Sequence, residues 1–231
     1  MLYSVPLLLS ALLLMPAFSV QAEPVPVARQ ALETKDVAIT QRNADLAIDI
    51  HYPVTGYPDV DRDIKDWAEQ QAQAFKLTSA EPHTNPYELS TSYVLTSPSA
   101  RYLSLVWEIF TYTGGAHSNL EITTFTYATA TGKTVDLYDV FGDLDQALAL
   151  ASVYSAKKLE NTLGDMADAE MIQEGTTPDA ENFSRFALTP AGIRFYFPPY
   201  QVAPWAAGMQ TVDIPLAELA PARPQLDLWA R

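Results

Sequence analysis

Two glycines in the middle of the chain constrain its fold more than any other feature. Gly114-Gly115 sits between two runs rich in aromatic and β-branched residues, Tyr102–Tyr112 and His117–Ala128. Glycine reaches positive φ without a Cβ clash, so the pair supplies a tight reversal and the runs become an antiparallel hairpin. In the first run Leu103, Leu105, Trp107 and Ile109 share one face. Turning at Thr113–Ala116 and pairing Tyr112 with His117 sets Ile109 opposite Leu120, Trp107 opposite Ile122 and Glu108 opposite Glu121. That register gathers the apolar side chains on one face, and a slip of one residue would send Glu121 to the core side.

Further strands are expected at Asp45–Tyr52, Glu88–Thr96, Phe183–Leu188, Ile193–Phe197 and Gln210–Leu216. The residues ahead of Asp45 read as a proline-spaced lead. Thr189-Pro-Ala-Gly192 has the proline and glycine positions of a β-turn, and Pro198-Pro199 stops the strand before it. One helix is expected after Pro53 and Gly56, with Ile64, Trp67, Gln71 and Phe75 on one face. Asp59 or Asp61 can cap it, and Asp61 with Lys65 makes an i,i+4 pair. A second helix begins near Asp143, carries Leu144, Leu148, Ala151, Ser155, Leu159 and Leu163 as its stripe, and ends at Gly164. The pattern predicts an α+β fold: two adjoining units of antiparallel sheet, each packed with one main helix, dividing near residue 130.

The N-terminal segment predicts location. Leu7 to Val20 is almost wholly apolar, and Val20-Gln21-Ala22 then offers small residues at the −3 and −1 positions of a signal peptidase site. No Lys or Arg precedes the run, so the α-amino group is its one positive charge. Pro6 and Pro16 interrupt it, and it falls short of the ~20 residues a spanning helix needs. Residues 1–22 therefore read as a signal peptide cleaved near Ala22, leaving a periplasmic or secreted protein without a transmembrane segment. The chain has no cysteine, which excludes disulfides, thiol catalysis and lipid attachment through Cys. Its 28 acidic and 14 basic residues give a net charge of −14. That field disfavours nucleic acid and suits a cationic partner.

Tyr112-Thr-Gly-Gly-Ala-His117, the run from Phe195 to Gly208, and Val212-x-Ile214-Pro215 together resemble one family. It comprises the extracytoplasmic region of the lysozyme-sensing anti-sigma factor RsiV and the N-terminal part of PdaC-type peptidoglycan deacetylases. The first segment is similar to the family's Tyr-x-Gly-Gly-Ala-His turn, matched at Tyr112, Gly114, Gly115, Ala116 and His117. The second follows Phe-Tyr-Phe-x-Pro-Tyr-x-x-Ala-Pro-Tyr-Ala-Ala-Gly, with Trp205 where tyrosine is usual. The resemblance implies a PdaC-like α+β domain over residues 37–128 and an RsiV-like one over 129–222. RsiV has a cytoplasmic segment and a membrane helix, and the deacetylases have a separate catalytic domain; what this chain resembles is the paired non-catalytic module. Recognition of lysozyme, or of a cell-wall fragment, is what such a module implies.

The residues offer several candidate surfaces. His117 at the mouth of the turn either binds a ligand or hydrogen-bonds the loop backbone. Glu108 facing Glu121 would raise the pKa of at least one carboxyl, preparing a general acid or a cation site; otherwise both simply face water. With Tyr112 and His117 these glutamates would line one surface. Tyr196, Tyr200 and Trp205 form either an aromatic platform for a sugar or protein, or loop packing. Asp136, Asp139, Asp143 and Asp145 form an acidic cluster without the spacing of a calcium loop, and a capping and first-turn role at the second helix accounts for Asp143 and Asp145. No His-Glu-x-x-His, Gly-x-Ser-x-Gly or phosphate-cradling loop is present, and His51, His83 and His117 are too dispersed for a metal site. No catalytic residue, metal or cofactor is assigned. The functions left are a recognition module, a peptidoglycan-acting enzyme or its accessory, and a structural envelope protein docking a partner through its aromatic loop.

Overall fold

The computed structural model describes residues 34–78 and 86–230. The segment read as a signal peptide, and His83, lie outside the described residues. The chain builds four layers, helix on sheet on sheet on helix. The first sheet has five strands in the order β1 (Lys35–Arg42), β2 (Leu46–Val54), β3 (Tyr87–Ser99), β4 (Tyr102–Tyr112) and β5 (Asn119–Ala128). Helix α1 (Pro58–Thr78) connects β2 to β3 and makes that pair parallel, the one departure from an antiparallel sheet. A crossover of this kind is what parallel pairing requires. Strand β1, which the sequence pattern does not foresee, is exposed on alternate residues and joined to β2 by Asn43-Ala44-Asp45.

α1 lays Val60, Ile64, Ala68, Ala72 and Phe75 on a sheet face built from Ile48, Ile50, Leu89, Leu103, Leu105, Trp107, Ile109 and Tyr127. Trp67 stacks on Trp107 with ring centroids 3.7 Å apart. Asp61 does not pair with Lys65. Its carboxylate accepts from the Thr55 amide at 2.6 Å, the Thr55 hydroxyl at 2.7 Å and the Gly56 amide at 3.0 Å, tying the preceding loop to the helix. Lys65 pairs instead with Glu69 at 2.7 Å.

After the short helix α2 (Leu137–Val140), helix α3 (Leu144–Leu163) begins at Asp143, whose side chain accepts from the Gln146 amide, and ends at Gly164 as its residues dictate. Asp136 and Asp139 form a capping box on α2, so these aspartates serve helix starts. Helix α4 (Ala169–Gly175) follows, and then β6 (Phe186–Thr189), β7 (Gly192–Phe197) and β8 (Gln210–Pro215) form the second sheet in that order. Its outer face packs Ile193, Phe195, Phe197, Val212 and Ile214 with α3 in a separate core.

The two sheets meet directly. Val106 and Ile122 of the first pack with Ala187 and Tyr196 of the second. β6 also hydrogen-bonds to hydroxyls of the first sheet: the Phe186 amide donates to Thr124 Oγ1 at 3.1 Å and the Leu188 amide to Ser104 Oγ at 2.9 Å. This double coverage corrects the hairpin register. The strands pair Trp107 with Thr123, Glu108 with Ile122 and Ile109 with Glu121, one residue away from the expected alignment. That alignment assumed one buried face. Both faces are covered, so Ile122 is buried against the second sheet while Glu121 reaches solvent at the rim of the α1 face. No helix among the described residues is long and apolar enough to cross a membrane.

Candidate functional site

The reversal after β4 uses both glycines in the left-handed half of φ space, Gly114 at 93° and Gly115 at 111°. The Tyr112 hydroxyl donates to the Gly115 carbonyl at 3.3 Å, closing the tip on itself. His117 Nδ1 lies 2.9 Å from the Ser118 carbonyl oxygen. A carbonyl only accepts, so Nδ1 donates in this bond. His117 therefore does make the backbone bond, but its ring also stacks on Trp205, centroids 4.1 Å apart and planes 25° apart. The two segments that carry the sequence resemblance meet at this stack.

Trp205 is presented by a loop built for rigidity. Pro204 precedes a single 3-10 turn at Trp205–Ala207, and Gly208 at φ 69° ends it. Val202 and Ala203 are buried beneath, and the Tyr200 amide donates to the Ala203 carbonyl at 3.0 Å. Gln201 anchors the loop to the α4 region, its Nε2 donating to the carbonyls of Gly175 and Asn182, each at 3.0 Å. Gly175 has no room for a side chain, because a Cβ there would sit 2.0 Å from the Gln201 carbonyl oxygen. Gln201 and Gly175 thus position the loop, a role no motif marks in the sequence. Tyr200 is 61% exposed and holds φ at 72°, a conformation a bulky residue rarely adopts. The indole Nε1 of Trp205 is buried with no hydrogen-bond partner among the described residues.

The other predicted residues separate. Tyr196 is buried between the sheets with Val106 and Ile122, and that burial raises its pKa. Glu108 lies on the face turned toward the second sheet, accepting a hydrogen bond from Ser92 Oγ at 3.3 Å. Glu121 lies on the opposite face and accepts from Asn119 Nδ2 at 3.1 Å. Pairing with different partners puts the two carboxylates on opposite sides of the sheet, so they do not form the facing pair expected from the shifted register. Leu120 and Met209, unmarked in the sequence, pack at the seam beside Tyr196. No group of three His, Asp or Glu side chains among the described residues is placed to hold a metal ion.

His117 thus stacks on Trp205, Tyr112 closes the hairpin tip, and Tyr200 is exposed on the segment that carries Trp205. Glu108 and Glu121 lie on opposite faces of the sheet and are not part of this arrangement.

Comparison with known proteins gives the surface a family context. Residues 39–120 match the family model described as Deacetylase PdaC, and residues 138–217 match the one described as Protein of unknown function (DUF3298). Peptidoglycan-N-acetylmuramic acid deacetylase PdaC of Bacillus subtilis (strain 168) is 30% identical over 169 residues, 71% of this chain and 36% of the relative. The chain therefore spans about a third of the length of that relative. Immunogenic protein MPT64 of Mycobacterium tuberculosis is 25% identical over 178 residues, 74% of this chain and 76% of the relative. Two crystal structures of DUF3298 family proteins share the fold. The one from Pseudomonas aeruginosa PAO1 has a TM-score of 0.70 at 15% identity, covering 87% of this chain and 98% of its own. The one from Bacteroides fragilis NCTC 9343 has a TM-score of 0.57 at 19% identity, covering 82% and 92%. The hairpin tip falls within the first matched region and Trp205 within the second, so the stack joins the two. The chain thus carries a PdaC-like region over residues 39–120 followed by a DUF3298 region over residues 138–217.

Proposed function

We propose that this chain is a periplasmic or secreted recognition module of the cell wall, and that its surface at His117, Trp205, Tyr112 and Tyr200 docks the partner. The observation that carries the reading is the His117–Trp205 stack, which holds two loops distant in sequence as one aromatic surface. The relative named a peptidoglycan deacetylase supports the cell wall as the setting. The apolar N-terminal run ending in Ala22 supports export. The net charge of −14 favours a basic wall-degrading protein such as lysozyme, because such a field speeds encounter with cations. A neutral cell-wall fragment would use the same aromatic faces without the charge.

Calorimetric titration of the purified protein separates these partners. A basic lysozyme bound at micromolar affinity both at low salt and at ~0.15 M, where the Debye length is about 8 Å, marks specific protein recognition. Binding of soluble peptidoglycan fragments independent of salt marks the fragment as partner. Loss of either on Trp205→Ala places it at this surface. Absence of binding to both ligands, or turnover of wall polymer by the protein, would reject the reading.

A further inference from the structure

We infer that the outer edge of β1 is a self-association surface, on which a second copy of this chain pairs its own β1 antiparallel to the first. Hydrogen-bond parity exposes the edge. The Asn43 amide donates to the Leu46 carbonyl at 2.9 Å, which makes Asn43 and Leu46 a hydrogen-bonded pair of the β1–β2 ladder. In an antiparallel ladder such pairs alternate with pairs that make no bond between them. Through the observed register, Lys35, Val37, Ile39 and Gln41 therefore bond to β2, while Asp36, Ala38, Thr40 and Arg42 turn their N–H and C=O groups outward. Pro53 fits this assignment: it has no N–H and stands opposite Asp36, where none is needed.

The opposite edge of the sheet is closed. Arg185 Nε donates to the Ile122 carbonyl at 3.1 Å, the Val135 amide donates to the Thr126 carbonyl at 2.8 Å, and Thr134 bridges to Tyr127. Nothing among the described residues bonds to the outward groups of β1. The strand is regular over all eight residues and has no proline or bulge, two of the devices that keep an edge from pairing; a third, charge, is present at Lys35, Asp36 and Arg42, with both signs represented.

The strand's own charges identify the occupant. Outward-facing residues bond only to outward-facing residues, so two antiparallel copies can align only in every second register. One of these registers centres on Ile39 against Ile39 of the second copy. It sets Asp36 against Arg42 of the second copy, twice by symmetry, and Ala38 against Thr40 of the second copy. Moving two residues either way leaves both charges opposite uncharged side chains. A two-fold axis through Ile39 stands perpendicular to the sheet, so Val37 and Ile39 of both copies continue one apolar face. In the single chain these two side chains are half-buried against the α1 core.

Sedimentation of the full purified chain across a micromolar concentration series tests the pairing. A monomer–dimer equilibrium is expected. Ala38→Pro removes one outward donor from each copy and no bond of the β1–β2 ladder, so it abolishes the dimer while leaving thermal unfolding near wild type. Arg42→Glu, at an exposed position, sets like charges opposite each other and weakens the dimer about tenfold or more. Mixing Arg42→Glu with Asp36→Lys chains restores opposite charges at both contacts and recovers a heterodimer. A monomer at every concentration would overturn the inference and leave the edge to an extended segment of another protein. A dimer indifferent to Ala38→Pro and Arg42→Glu would overturn it by placing the interface elsewhere.

Discussion

Ser104 tests how the two sheets are joined. It is fully buried on β4, its Oγ accepts the Leu188 amide at 2.9 Å, and it lies 2.7 Å from Thr126 Oγ1. Leu188 is itself fully buried. Ser104→Ala removes one oxygen, leaves almost no cavity, and strands the Leu188 N–H without an acceptor. A buried donor left unpaired costs about 1–3 kcal/mol, and the Thr126 hydroxyl loses its partner as well, so the loss should be about 2–3 kcal/mol. For a chain of this size that corresponds to a fall in Tm of about 4–12 °C. Urea denaturation should show the lowered midpoint with an unchanged slope, because the surface exposed on unfolding is the same. Ser92→Ala is the control: its exposed hydroxyl makes one 3.3 Å contact to Glu108, and its loss should stay within about 0.5 kcal/mol. If Ser104→Ala were as neutral as Ser92→Ala, the hydroxyl would not be satisfying the edge of β6 and the account of the sheet junction would fail.

Gly175→Ala should displace the 198–208 loop, since its Cβ would lie 2.0 Å from the Gln201 carbonyl oxygen; loss of the His117–Trp205 contact in an NMR spectrum checks it, with a stability cost above about 1 kcal/mol. His51 sits between Asp36 at 2.8 Å and Asp49 at 3.3 Å, and the hydrogen bond to Asp36 raises its pKa above the usual 6.5. A raised cationic pKa stabilises the fold fully below pH 6.5 and loses that contribution as pH rises through the folded value, so unfolding midpoints should fall across that window. Asp36→Asn should flatten the fall. The exposed Arg194–Asp213 pair, bidentate at 2.7 Å, should contribute no more than about 1 kcal/mol, measured by Asp213→Asn against wild type in urea.

The sequence exposes those parts of the fold that follow a local rule. Helix α3 lies between Asp143 and Gly164 because a cap, an apolar stripe and a glycine each act within a few residues. β4 spans Tyr102–Tyr112 as its alternation predicts. The hairpin register was not legible, because it depends on burial of both sheet faces, and the second face is covered by strands some 60 residues further on. Nothing local marks Ser104, Thr124 and Thr126 as polar groups of a sheet junction, yet their hydroxyls supply its hydrogen bonds. β1 was missed because its stability comes from pairing with β2 and from half-burial of Val37 and Ile39, and its eight residues hold too few apolar positions to signal this alone. At the candidate site, Gly114, Gly115, His117 and Trp205 stood out because glycine, proline and aromatic residues in loops carry a signal of their own. That His117 would stack on Trp205, or that Glu108 and Glu121 would part, depended on the packing of β6–β8 against the hairpin.

The most direct test of the recognition surface is an amide NMR titration of the full protein with a basic lysozyme and, separately, with soluble peptidoglycan fragments, at ~0.15 M salt to screen long-range charge. The account predicts saturable shifts concentrated at Tyr112–Ser118 and at Tyr200–Gly208, absent from the Trp205→Ala protein. No shifts with either ligand, or shifts confined to α1 or to α4, would contradict it.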